Sequence, residues 1–103
     1  MNRRVIEQLG GKETWPLAGD NIIVDFDLSQ ANLPAGKRLR VGTAVLEITA
    51  EPHLGCQHFK ARFGAEAVMF VNSDAGKALN ARGVNARVVT NGVVCLGDAL
   101  TRL

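Results

Sequence analysis

The chain has 103 residues, 47% of them hydrophobic, which fits a single domain over residues 1–103 with a modest core and no linker. Twelve Lys and Arg against ten Asp and Glu leave a formal charge of +2, clustered only at Lys37-Arg38-Leu39-Arg40. With 5% aromatic residues and no tyrosine, the chain lacks both the basic face and the stacking platforms of a nucleic-acid binder, so no nucleic-acid partner is expected.

The opening residues predict about two helical turns with Val5, Ile6 and Leu9 on one face, ended by Gly10-Gly11. Pro16 and Gly19 keep the next stretch irregular, and Ile22-Ile23-Val24 reads as a short β-branched strand. Leu33-Pro34-Ala35-Gly36 supplies a turn. Residues 37 to 50 then alternate with period two around Gly42-Thr43, which predicts a hairpin. After Pro52 the period changes: Cys56, Phe59, Lys60 and Phe63 share one helical face that stops at Gly64. Further helices are expected over Ala65 to Val71 and Asp74 to Arg82. Alternation returns from Val84 to Thr90, Asn91-Gly92 signals a hairpin turn onto Val93 to Leu96, and Gly97-Asp98 leads into a last strand, Ala99 to Leu103. The expected fold is mainly β with a central helical insert.

No stretch approaches the ~20 apolar residues of a membrane span, and the N-terminus lacks the apolar core of a signal peptide. Two cysteines outside any C-x-x-C pair fit neither a disulfide scaffold nor a thioredoxin-like motif, so a soluble protein of the reducing cytoplasm is expected, with no membrane partner. The two thiols differ in setting. Cys95 lies in the apolar run Val93-Val94-Cys95-Leu96, which predicts burial as a small hydrophobe.

Cys56 is flanked by the only two histidines, His53 and His58, with Lys60 and Arg62 close behind. In a first helical turn, unpaired amides and neighbouring positive potential would favour its thiolate, which makes Cys56 the candidate nucleophile and His53 and His58 its candidate proton partners. The same residue also reads as one more apolar member of the stripe it shares with Phe59 and Phe63. A metal site is not expected from the H-x-x-C-x-H triplet, because on a helix His58 would lie about 200° round from Cys56 and no fourth ligand has local spacing. Arg82, Arg87 and Lys60, with the side-chain amides of Asn72 and Asn85, are the candidates for holding an anionic ligand, since guanidinium binds phosphate as a bidentate fork.

Gly19-Asp20-Asn21, the stretch Leu33-Pro34-Ala35-Gly36-Lys37-Arg38-Leu39-Arg40-Val41-Gly42-Thr43-Ala44-Val45-Leu46-Glu47-Ile48-Thr49, Cys56, and the closing Gly92-Val93-Val94-Cys95-Leu96-Gly97-Asp98 together resemble the MOSC domain, named from the C-terminus of molybdenum cofactor sulfurase. That family shows a G-E-N step, a G-x-x-L-x-I-G-x-A-x-L-E-V-T hairpin, a cysteine just after it and a late G-x-V-x-x-G-D turn; the likeness covers about residues 19 to 103. Asp20 stands where glutamate is usual, and Gly55 precedes the cysteine where proline is common. The resemblance implies a β-barrel-like fold and a cysteine, here Cys56, that carries sulfur as a persulfide for molybdenum cofactor assembly. A cysteine desulfurase is the implied sulfur donor, and a molybdopterin-type ligand becomes an implied acceptor or bound cofactor, with Arg82 and Arg87 as candidates for its phosphate. The alternative is a module that binds such a ligand, or a partner, without chemistry. The family's domain carries strands ahead of the G-E-N step, whereas only 18 residues precede Gly19 here. A shortened barrel would expose strand edges, so a homodimer is expected.

Overall fold

The structure, a computed structural model, describes residues 1–103. Helix α1 (Arg3–Leu9) begins at Asn2, whose side chain accepts from the Arg4 and Val5 amides, and buries Ile6 completely. A 3₁₀ helix, Lys12–Ala18, follows in the stretch expected to be irregular; Pro16 is accommodated inside it. The sheet contains β1 (Arg38–Val41), β2 (Ala44–Ile48), β3 (Ala86–Thr90) and β4 (Leu100–Arg102) in the order β3-β2-β1-β4, antiparallel throughout. Between β2 and β3 come α2 (Gln57–Phe63), α3 (Ala65–Asn72) and α4 (Asp74–Ala78).

This arrangement corrects the expected architecture. The fold is mixed α/β, and the sheet is open rather than a closed barrel: β3 and β4 each have one unpaired edge. Strands of three to five residues are the physical reason, because closure demands enough tilted strands of sufficient length to bring the last edge back to the first. The hairpin of β1 and β2 forms as expected, with Arg40 opposite Val45. Ile22 to Val24 does not become a strand; Val24 makes one isolated parallel bridge with Asn2.

The expected strand over Val93 to Leu96 is also absent. After Thr90 the chain crosses the β1–β2 turn, where the Thr43 amide donates to the Val93 carbonyl at 3.1 Å and the Val93 amide to Thr43 Oγ1 at 2.7 Å. Gly92 serves that crossing: a Cβ there would collide with the Thr43 and Ala44 backbone. A hairpin turn is replaced by a close backbone contact. Cys95 is consequently exposed, contrary to the burial its apolar neighbours predict, since Val93 and Leu96 beside it are themselves exposed. The last expected helix stops at Ala78, and Asn80, with φ of 50°, turns the chain so that Arg82 lies beyond helical structure.

Two apolar clusters stabilise the layers. Ile6, Ala18, Phe59, Ala67, Val71 and Ala81 pack between the helices, while Leu28, Leu33, Leu39, Val41 and Ile48 pack under the sheet. Full burial of one such side chain stabilises by about 1.5–3 kcal/mol, so Phe59 and Val71, 2% and 1% exposed, hold α2 against α3.

Candidate functional site

Cys56 is the N-cap of α2, with φ −110° and ψ −176°, and its carbonyl accepts the first helical bond from the Lys60 amide at 2.9 Å. The extended conformation at a cap leaves the next amides without intrahelical partners. Its thiol is exposed and makes no formal capping hydrogen bond, yet the amides of Phe59 and then His58 lie close enough to pull its pKa below the ordinary cysteine value, with a smaller contribution from the charge of Arg82. The expected helical stripe forms around it. Phe59 is buried, Phe63 half-buried, and their rings lie 4.9 Å apart.

The residue before the thiol is held with equal care. Asn72, the last residue of α3, accepts from the Gly55 amide through Oδ1 at 2.9 Å and donates from Nδ2 to the Gly55 carbonyl at 3.0 Å. Gly55 also lies tight against the helices: a Cβ would come within 2.9 Å of Val71 Cγ2 and 3.4 Å of Phe59. Only glycine permits that approach.

His53 and His58 occupy different places. His58 presents its backbone amide toward the Cys56 thiol without a formal hydrogen bond, while its side chain lies exposed on α2. His53 is half-buried beside Gly83 and Asp20, and its Nδ1 is sealed from solvent without a hydrogen-bond partner. Burial, then the charge of Arg82, hold its pKa below the usual histidine value. No group of three or more His, Cys, Asp and Glu residues that could hold a metal ion is present.

Arg82 is the hub joining the two layers. It is 8% exposed, donates from Nη1 to Asp20 Oδ1 at 2.7 Å and from Nη2 to the Ala18 carbonyl at 2.9 Å, and its guanidinium lies 4.8 Å from the Phe59 ring centroid. Its Nε is sealed and unpartnered. Asp20 also pairs with the Met1 amino group at 3.5 Å. Arg87 is exposed on β3 and bonds Glu47 Oε2 at 2.8 Å, while Arg38 bonds the other carboxylate oxygen at 3.2 Å. Those two partners, Arg87 first, lower the Glu47 pKa. Asn85 donates from Nδ2 to the Glu51 carbonyl at 3.5 Å, and Lys60 is exposed on α2.

Arg82 and Asn85 border a cavity of about 600 Å³ together with His53, Lys77 and Asn80; neither Arg87, Lys60 nor Cys56 lines it. Of the four anion-binding candidates, Arg82 and Asn85 share this cavity, while Arg87 and Lys60 lie outside its lining. The sequence reading missed the Asp20–Arg82 pair, whose members are 62 residues apart and carry no local signal. It also left Asn72 without its actual role. A glycine directly before a helix cap is the signal that points to close backbone approach.

The family model for the MOSC domain matches residues 2–101, so the likeness takes in α1 and the 3₁₀ helix as well as the region from Gly19 onward. No curated protein and no solved structure matches the chain.

Proposed function

Because the chain belongs to the MOSC domain family, whose members are associated with molybdenum cofactor sulfurase-like proteins, we propose that it is a sulfur carrier that forms a persulfide on Cys56. The observation that carries this reading is the exposed Cys56 thiol at the start of α2, drawn toward thiolate by the Phe59 and His58 amides. The Cys56 thiolate attacks the terminal sulfur of a donor's cysteine persulfide. A new S–S bond forms at Cys56 Sγ as the donor's S–S bond breaks, and the donor cysteine leaves as thiolate, with no net oxidation. A cysteine desulfurase is the proposed donor.

The proposed acceptor is a molybdenum cofactor, which enters the reaction as substrate. Release of the outer sulfur as sulfide takes two electrons from two external thiols: the first attacks Cys56 Sγ, breaking its S–S bond, expelling hydrosulfide and forming a mixed disulfide, and the second resolves that disulfide to free Cys56 and the external disulfide. The exposed thiols suit a reducing compartment such as the cytoplasm. The unpaired edges of β3 and β4 support a homodimer through strand pairing; sedimentation should find it at micromolar concentration, and a monomer there removes it.

Incubation with a cysteine desulfurase and free cysteine should add one sulfur atom to Cys56, detected by mass spectrometry of the native protein. Cys56→Ser should remain folded and take up none. Sulfur loaded on Cys95 alone, or on neither thiol, overturns the carrier reading.

A further inference from the structure

We infer that Asn72 is the positioning residue of the Cys56 thiol, acting through Gly55; the inference rests on the carrier reading and identifies what holds its reactive sulfur in place. Asn72 reaches from the end of α3 and supplies partners for both the N–H and the C=O of Gly55, at 2.9 and 3.0 Å, as a neighbouring strand would. Val71 and Phe59, both buried, close in on the same glycine, whose Cβ position would lie 2.9 and 3.4 Å from them and 3.5 Å from Asn72 Oδ1. One residue later, the Cys56 carbonyl is fixed by the Lys60 amide at 2.9 Å. Both flanks of Cys56 are therefore tied down, one by a side chain of α3 and one by its own helix. The direction of its Cα–Cβ bond, from which Sγ reaches toward the Phe59 and His58 amides, follows from those two anchors.

Loss of the Asn72 amide removes the first anchor and leaves a partly buried peptide group on each side of Gly55 without its partner. The loop then no longer holds Sγ where the amides act on it. Asn72 touches no reacting atom, so its effect passes wholly through the conformation of residues 55 and 56.

The test is the rate of iodoacetamide alkylation of each thiol as a function of pH, followed by mass spectrometry, with Cys95 as internal reference. Asn72→Ala should move the Cys56 profile to higher pH and slow its reaction at neutral pH about three- to tenfold, while the Cys95 rate is unchanged. Gly55→Ala reaches the same peptide by steric displacement and provides a second route should Asn72→Ala fold poorly. In the double variant the two effects should not add, since they act on one contact. A folded Asn72→Ala protein with an unmoved Cys56 profile overturns the inference, and so does an equal change at both thiols, which marks a general loosening. Additive effects in the double variant overturn it as well. Alkylation needs no sulfur donor, so failure of persulfide loading in the wild-type protein would strike the carrier reading and leave this measurement readable.

Discussion

Both thiols of this protein are exposed, yet the segments that carry them are built on opposite terms. Residues 55 to 63 are fastened from several sides: Asn72 holds Gly55, Phe59 is buried, and Arg82 covers the Phe59 ring. Residues 91 to 98 are exposed throughout. There the Cys95 amide donates to Asp98 Oδ2 at 2.7 Å, the Asp98 amide returns to the Cys95 carbonyl at 3.0 Å, and the surrounding valines and leucine face solvent. Exposure alone does not separate the two thiols. Their surroundings do: the Phe59 and His58 amides lie toward the Cys56 sulfur at the start of a helix packed on the core, whereas Cys95 sits in an exposed turn tied to the fold through Val93 and Thr43.

The largest effect on this contrast should come from Arg82→Met, which leaves the buried Asp20 with only the Met1 amino group, at 3.5 Å, as ion-pair partner and takes the cation from the Phe59 ring. Removing one member of a buried pair costs about 3–5 kcal/mol, and denaturant unfolding measures it. A loss of well under 1 kcal/mol would show that water replaces the guanidinium and that the anchored region does not depend on this hub.

The contrast is sharpened next by comparing the thiols directly. Cys56 should be alkylated about tenfold faster than Cys95 at neutral pH, since two amides act on its sulfur. Equal rates, read by peptide mass spectrometry, would mean that the cap geometry confers no activation.

Asp98→Ala probes the other region. It removes the side-chain acceptor of the Cys95 amide, an exposed hydrogen bond worth about 0.5–1.5 kcal/mol, so limited proteolysis within residues 91 to 98 should accelerate while the Cys56 alkylation rate holds. Slower Cys56 alkylation in that variant would couple two segments that the contrast treats as separate.

The smallest expected effect is a pH dependence at His53. Its folded pKa lies below its ordinary value of 6.5 because burial, aided by the Arg82 charge, favours the neutral ring. The unfolded chain then binds a proton more readily than the folded one, so this contribution is fully present above about pH 6.5 and is lost as pH falls through the folded pKa. His53→Phe should flatten that part of the stability profile. An unaltered slope between neutral and mildly acidic pH would place the acid sensitivity elsewhere.

Local pattern was sufficient for the β1–β2 hairpin, for α1, for α2 starting at Cys56 and for α3, because alternation, helical periodicity and glycine stops are properties of neighbouring residues. Local pattern failed at Val93 to Leu96: its apolar run looks like a partnered strand, but β2 already pairs with β1 and β3, and the run crosses the hairpin turn instead. The exposed position of Cys95 follows from that crossing. In the site, the sequence singled out Cys56 by its basic and imidazole neighbours, whereas the groups that act on its sulfur are principally the Phe59 and His58 amides.

By itself, then, the sequence determined the thiol, its helix and the family motif, all written within short stretches of chain. Tertiary structure decided what holds that thiol in place, through Asn72 on Gly55 and Arg82 between Asp20 and Phe59. It also decided that four short strands stay an open sheet. These outcomes depend on which distant groups meet and which strand edges find partners, and residues 17 or 62 positions apart leave no periodic trace of their meeting.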